Sequence, residues 1–248
     1  MPTTLGMSNN FMAVIRIKHS DFETKYRVPE CADTLNAQEW AAEDADRVKE
    51  SGWDSRYDYE ANLIVTLNDS KLSTILELGP GPGVLCEKIQ NLLAQQGYET
   101  KYDLIDKPFA KEAFEKAHRR GRFFVKDLSS GFDVTGLRPQ YTLIIANDFL
   151  EHVFNPSAIV QEVYKLLSDD GVFFVSVPNW RMGHQFTYRG LWDYDNFLYF
   201  MMIHGFEAQN VSPSILITPD YPRLSSEEEM PEELRRSWNW YFSFGKKK

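Results

Sequence analysis

The sequence predicts an α/β fold in which a mostly parallel sheet carries helices on both faces. From Thr74 onward, short apolar segments typical of buried strands alternate with amphipathic segments typical of helices. The first of these strands, 75–78, leads directly into Gly79, Gly81 and Gly83, and then into a helix whose apolar residues recur every three or four positions. A strand that runs through glycines into a helix lets a ligand approach the backbone near the positive end of the helix.

The later elements follow in chain order. Each predicted strand is a short apolar segment bounded by polar residues or glycine, at residues 102–106, 122–126, 141–146, 172–177, 206–211 and 238–244. Pro108 suits the first position of the helix after the second strand, and Asn155-Pro156 is a favourable start for the helix after the fourth. That helix is predicted to end at Asp170-Gly171, and a last amphipathic helix, 191–204, to end before Gly205.

The segment that precedes Thr74 is less regular. Two helices are predicted there, over residues 36–50 and 59–67. We expect residues 1–70 to form an N-terminal extension and residues 71–248 to form the α/β domain. An acidic segment at 227–233 is expected to be a solvated insertion between the last two strands.

Composition excludes several classes of protein. The formal net charge of −9 and the pI near 5.1 argue against binding to duplex nucleic acid and to an anionic membrane surface, because both require a basic face. The two cysteines, Cys31 and Cys86, have no metal-binding spacing, which favours a reducing compartment. The short apolar segment 11–15 is too short for a signal peptide or a membrane span, so we expect a cytoplasmic protein.

Polar residues stand at the ends of successive predicted strands, where ligands bind in open α/β sheets. Asp106 ends the second strand, 23 residues after Gly83. This spacing matches the roughly twenty residues expected for an acid that binds ribose hydroxyls. The glycines alternate, however, and Val84 stands where a dinucleotide fingerprint requires its third glycine, which disfavours a nucleotide-dependent oxidoreductase.

The segment Glu77 to Gly83 resembles motif I, E-x-G-x-G-x-G, of the class I S-adenosylmethionine (SAM) methyltransferases. Residues 141–156 and 166–179 are similar to the fourth- and fifth-strand regions of that family, and the resemblance covers about residues 74–211. It implies a Rossmann-like sheet of seven strands with an antiparallel last strand. It also implies SAM-dependent methyl transfer to the oxygen or nitrogen of a small molecule, with S-adenosylhomocysteine (SAH) as the product.

The resemblance also implies roles for individual residues. Asp106 would bind the ribose, Asp127 and Leu128 would contact the adenine, and residues 1–70 would form either a partial lid over the cofactor or a layer against one edge of the sheet. The residues predicted to bind the cofactor are Glu77, Gly79, Pro80, Gly81, Gly83, Asp106, Lys107, Asp127, Leu128, Asn147 and Asp148.

His152 is the predicted catalytic residue. An acceptor hydroxyl or ammonium must lose a proton, and an imidazole titrates near working pH. A packing role for His152 is the alternative. A second alternative is a metal site, because Asp148, Glu151 and His152 would share one face of a helical turn and His184 or His204 would supply a fourth ligand. Many methyltransferases with this run hold no metal, and we expect none here.

Two further functions stay open at this point. One is a module that binds SAM or SAH without catalysis, and the other is a metal-assisted O-methyltransferase. The acceptor and the oligomeric state have no signal in the sequence.

Overall fold

A computed structural model describes residues 53–68, 72–128, 131–178, 194–213 and 239–247. The predicted helix over 36–50, Cys31, His184 and the acidic segment 227–233 lie outside these ranges.

Seven strands form one sheet with the order β3-β2-β1-β4-β5-β7-β6. Neighbours from β3 to β5 are parallel, whereas β7 runs antiparallel to both β5 and β6. The predicted mostly parallel sheet with an antiparallel last strand is therefore confirmed. The strands are β1 Thr74–Leu78, β2 Lys101–Asp106, β3 Arg122–Val125, β4 Tyr141–Ala146, β5 Leu167–Pro178, β6 Phe206–Pro213 and β7 Asn239–Lys246.

Helices cover both faces of this sheet. The described helices are α1 Trp53–Leu67, α2 Val84–Gln95, α3 Pro108–Lys116, α4 Pro156–Leu166 and α5 Tyr194–Ile203, with a short 3-10 turn at Leu150–His152. None of these helices combines the length and the apolar character needed to span a membrane. As predicted, Pro156 opens α4, and the Asn155 side chain caps that helix by accepting a hydrogen bond from the amide of Ala158 at 3.1 Å.

The alternating side chains of β1 separate two hydrophobic cores. Leu76 and Leu78 point into a core that α4 and α5 cover. Ile75 points to the opposite face, into a core that α1, α2 and Phe114 of α3 cover. Because β1 lies in the middle of the sheet and is buried on both faces, its C-terminal end and the turn that follows are held by both cores.

The helix α1 belongs to the second of these cores. Ala61, Ile64 and Val65 are all buried there. The predicted helix over 59–67 is confirmed, but its predicted start was wrong, because α1 begins at Trp53. The domain boundary near residue 70 and the lid role of residues 1–70 stay predictions.

The predicted end of α4 was also wrong. The helix ends at Leu166, and β5 begins at once with Leu167, which pairs with Tyr141. The next aligned pair is Val172 with Leu143, so the register shifts between the two pairs. The irregularity places Asp170 and Gly171 inside the strand segment rather than at the end of the helix.

Candidate functional site

The glycine turn after β1 has a backbone that favours glycine. Gly79, Gly81 and Gly83 have φ values of 65°, 54° and 81°, which L-residues with side chains rarely adopt. Gly83 is the N-cap of α2, and its amide donates to the Pro80 carbonyl at 2.9 Å. A Cβ at Gly81 would meet no heavy atom within 4 Å, so space for a ligand lies directly against this backbone.

Asp106 at the end of β2 contacts the glycine turn directly. Its Oδ2 accepts a hydrogen bond from the amide of Gly81 at 2.9 Å, and its Oδ1 accepts from the amide of Lys107 at 2.7 Å. Burial raises the pKa of this carboxyl, and the two amide hydrogen bonds oppose that rise. A carboxylate has about four acceptor positions. Two are used here, which leaves two for a ligand with paired hydroxyls.

Glu77 is buried on one face of β1 and is hydrogen-bonded to a side chain of β2. Its side chain lies on the same face of β1 as Ile75 and is 2% exposed. The Tyr102 hydroxyl donates a 2.7 Å hydrogen bond to it. Burial raises the pKa of Glu77 to about 7, although the bond from Tyr102 acts in the opposite direction. Direct contact between Glu77 and the cofactor stays a prediction.

The end of β3 lies beside Asp106. The Lys126 amide donates to the Asp106 carbonyl at 2.9 Å. Asp127 and Leu128 therefore come directly after a residue that is hydrogen-bonded to β2. Asp127 is exposed, whereas Leu128 is 4% exposed and belongs to the core under α4 and α5. Their predicted adenine contacts remain untested.

The end of β4 carries a buried polar network. Asp148 has a φ of 47°, and its amide donates to Ser176 Oγ at 2.8 Å. Ser176 donates in return to Asp148 Oδ1 at 2.6 Å, while Arg56 of α1 forms an ion pair with Oδ2. The fully buried Glu60 accepts from Arg56 Nε at 2.6 Å and from Asn147 Nδ2 at 3.0 Å.

Beyond this network lies the 3-10 turn with the predicted catalytic residue. The His152 side chain is 45% exposed, whereas that of the neighbouring Glu151 is fully buried. The His152 Nε2 lies 3.9 Å from Glu151 Oε1. Neither carboxylate oxygen of Glu151 has a hydrogen-bond partner in the part of the chain that the structure describes.

The glycine turn, the acid beside it and the β4 network lie at the carboxyl ends of β1, β2 and β4. A family model for the methyltransferase domain matches residues 49–210, which is more than half of the chain. The protein belongs to this methyltransferase family. It carries a methyltransferase domain on a seven-stranded, mostly parallel sheet, which is the fold that the resemblance implied.

Individual relatives of this methyltransferase are distant. The ubiquinone biosynthesis O-methyltransferase of Glaesserella parasuis serovar 5 (strain SH0165) is 26% identical over 160 residues, which cover 58% of this chain and 66% of that enzyme. The chain therefore matches slightly less than two thirds of that relative's length. Two solved structures share the fold. The plantazolicin methyltransferase BamL, in complex with a triazolic desmethylPZN analog and SAH, has a TM-score of 0.57 at 14% identity, with 88% of this chain and 96% of that chain covered. A SAM-dependent methyltransferase from Clostridium acetobutylicum ATCC 824 has a TM-score of 0.54 at 9% identity, covering 78% and 92%.

The residues present in this methyltransferase fit SAM. The space against Gly81 admits a ligand, and Asp106 retains acceptor positions for two ribose hydroxyls. In addition, Asn147 Oδ1 is buried and has no hydrogen-bond partner among the described residues, so an acceptor is available at the end of β4. Buried acceptors of this kind are usually satisfied, which is expected here once a donor such as an ammonium is bound.

The metal alternative fits less well. Within the described ranges, no group of three His, Cys, Asp or Glu side chains is arranged to hold a metal ion. Asp148 is bound by Arg56 and Ser176. His204 is 2.6 Å from Ser157 Oγ through Nε2 and 2.7 Å from the Phe200 carbonyl through Nδ1, so both of its ring nitrogens are already used.

Arg56 and Glu60 are the site residues that the sequence analysis missed. Both are polar, so they interrupt the apolar periodicity from which α1 was predicted. A signal was present nonetheless, because an arginine and a glutamate four residues apart lie on the same side of a helix. Their burial depends on partners from the loop after β4 and from β7, which are distant in sequence.

Proposed function

We propose that this enzyme methylates a hydroxyl oxygen of a small molecule, and that His152 takes the proton that the hydroxyl loses. SAM would bind against Gly79 to Gly83, with its ribose on Asp106. The contact of 2.9 Å between the Gly81 amide and Asp106 Oδ2 is the main support, since it brings an open glycine backbone and a carboxylate with spare acceptor positions to one point.

The residues of the site have separate tasks in this proposal. When bound, SAM supplies a methyl group on a positively charged sulfur. Asp106 fixes the ribose, and Asn147 Oδ1 accepts a hydrogen bond from the amino acid part of the cofactor. Transfer of a methyl group between two positioned atoms depends strongly on orientation, which can contribute about 7–11 kcal/mol. The ion pair of Arg56 with Asp148 supports this by holding the loop after β4 in one conformation.

Oxygen is favoured over nitrogen as the acceptor atom by one comparison. The relative from Glaesserella parasuis is named an O-methyltransferase, and its match covers 58% of this chain. A neutral hydroxyl is a weak nucleophile until a base removes its proton. His152 is suited to this because its side chain is half exposed at the end of β4, where an acceptor can reach it.

Product formation tests the reaction class. The purified protein is incubated with SAM and a panel of phenols, catechols and carboxylic acids, alongside an equal panel of amines. We expect SAH and a methylated product with at least one hydroxylated acceptor, identified by mass spectrometry. Turnover confined to amines would overturn the choice of oxygen, and SAM binding without turnover on a broad panel would favour a module that binds SAM without catalysis.

The role of His152 is tested with the acceptor found in that panel. If His152 is the base, His152→Ala lowers turnover by about 10²-fold or more and leaves the affinity for SAM unchanged. A packing role predicts instead a lower free energy of unfolding with near-normal turnover of the folded fraction. A metal ligand predicts that a chelator abolishes activity and that Mg²⁺ restores it. Full activity in His152→Ala would exclude the base.

A further inference from the structure

Glu151 is a buried carboxylate for which the described residues provide no hydrogen-bond partner. The residue is 1% exposed, and both of its side-chain oxygens lack a partner among the described residues. Burying a carboxylate in this state is costly unless a donor or a cation approaches it. Burial raises its pKa well above the usual range, and nearby Asp148 adds to that rise. An unsatisfied group of this kind calls for a partner that arrives during function.

Among the described residues, the neighbouring imidazole of His152 can become such a partner. His152 Nε2 lies 3.9 Å from Glu151 Oε1, so an approach of about 1 Å would form a hydrogen bond. Arg56, a buried cation that also acts on Glu151, is already bound to Asp148 and Glu60. Asp148 carries a negative charge near the pair and Arg56 a positive one, and they act on Glu151 in opposite directions.

We propose that Glu151 is a positioning residue that orients His152 and stabilises its protonated form. This rests on the proposed function, in which His152 is the base. With Nε2–H directed at Glu151, Nδ1 is the nitrogen that accepts the proton. As the acceptor oxygen forms its bond to the methyl carbon, its proton moves to Nδ1, and the electron pair of the broken carbon–sulfur bond stays on sulfur. The carboxylate then lies beside an imidazolium and stabilises it.

Burial of Glu151 and exposure of His152 are both necessary for this arrangement. Burial favours the protonated form of Glu151, whereas an imidazolium beside it favours the carboxylate, and the two opposite charges then attract each other with little solvent screening. The exposed edge of His152 remains accessible to an acceptor. The same division, in which a buried acid orients a base that contacts the substrate, is known from other enzymes that activate a hydroxyl.

The first test measures His152 itself and does not require an acceptor. The five histidines are labelled, the His152 signal is assigned with His152→Ala, and its pKa is followed by NMR in the parent protein and in Glu151→Gln. We expect the pKa of His152 to fall by about one unit in the variant, because the opposite charge beside it is lost. The control is Glu162→Gln, since Glu162 pairs with Lys165 on α4 away from this turn. An unchanged His152 pKa in Glu151→Gln would overturn the proposal.

The second test uses turnover. Glu151→Gln should lower kcat/KM about 10-fold to 100-fold, leave the SAM affinity unchanged and move the acidic limb of the pH–rate profile to lower pH. In a His152→Ala background the same change should have no further effect. If His152→Ala keeps its full rate, the proposed base is wrong. If His152→Ala is inactive while Glu151→Gln matches the parent, only the role of Glu151 is wrong.

The stability of Glu151 variants distinguishes a positioning role from a purely structural role of this carboxylate. Glu151→Gln replaces an unpaired buried carboxyl group by an amide of nearly the same volume, so the variant should unfold at the same denaturant concentration as the parent or higher. A purely structural carboxylate predicts lower stability. Rescue of a Glu151→Gln defect by added Mg²⁺ would overturn the proposal in favour of a metal ligand. Glu151→Asp is the second variant, and its His152 pKa should lie between those of the parent and of Glu151→Gln.

Discussion

Arg56 of α1 forms an ion pair with Asp148, which lies just beyond the end of β4. Asp148 has a φ of 47°, an unfavourable conformation for a residue with a side chain. Arg56 holds one carboxylate oxygen of Asp148, and Ser176 of β5 donates to the other at 2.6 Å. The loop that leads to His152 is therefore fixed from a helix on one side and from the sheet on the other.

Loss of Arg56 should destabilise the protein strongly. In Arg56→Ala, the buried carboxylate of Glu60 and the partly exposed carboxylate of Asp148 lose their shared cation, which we expect to lower the free energy of unfolding by about 3–5 kcal/mol. Urea denaturation measures the difference. Lys88→Ala is the control on the adjacent helix, because Lys88 pairs with the exposed Asp58 and should cost less than about 1 kcal/mol. Similar losses in the two variants would show that the network contributes little.

Removal of the Asp106 carboxylate should weaken cofactor binding. Asp106→Ala eliminates two charge-assisted acceptors for ribose hydroxyls, which we expect to reduce the affinity for SAM by about 1–3 kcal/mol in calorimetry. Asp106→Asn should bind no better, because its amide group would face the donors of Gly81 or Lys107. Asp169→Ala, at an exposed position near the start of β5, is the control and should bind SAM normally. Unchanged affinity for SAM in Asp106→Ala would contradict the prediction that Asp106 binds the ribose.

The sequence predicted the parts of the fold that depend on local patterns. β1 and the glycines after it are an apolar segment followed by residues that tolerate positive φ, and both signals are local. The first six residues of α1 were missed because Arg56 is buried by ion pairing rather than by hydrophobicity. Likewise, the partners of Glu60 come from α1, the loop after β4, and β7, and only the folded chain brings them together.

The site was predictable to a similar extent. Asp106 follows from its position at a strand end and its distance from the glycines, and the structure places it against Gly81. Glu77 was predicted to bind the cofactor, and that contact stays a prediction, while side-chain alternation along β1 directs its carboxylate towards Tyr102. Motif spacing identifies a residue in the chain, whereas its environment depends on which face of the strand it occupies.

Glu77 should give the protein a specific pH dependence. Its pKa rises from 4.5 to about 7 on folding, so the folded state binds this proton more tightly than the unfolded state does. This contribution to stability is complete below pH 4.5 and is lost as the pH rises through 7, a difference of roughly 3 kcal/mol. Glu77→Gln resembles the protonated form at every pH. Its advantage over the parent in urea denaturation should therefore grow between pH 4.5 and 7.5, and a constant difference would contradict the buried environment of Glu77.

Gly81 and Gly97 are two glycines with matched backbone conformation and open surroundings. Both have positive φ, 54° and 79°, and a Cβ at either would meet nothing within 4 Å. Replacement of either glycine by alanine should therefore lower the free energy of unfolding by a similar amount, about 1–2 kcal/mol. The two positions differ in what the new methyl group faces, because Gly81 lies beside Asp106 whereas Gly97 lies beyond the C-terminal end of α2. Gly81→Ala should lose SAM affinity by at least about tenfold, or about 1.4 kcal/mol, while Gly97→Ala binds normally. Equal affinity of the two variants, measured by calorimetry on fully folded protein, would show that the cofactor does not approach the backbone at Gly81.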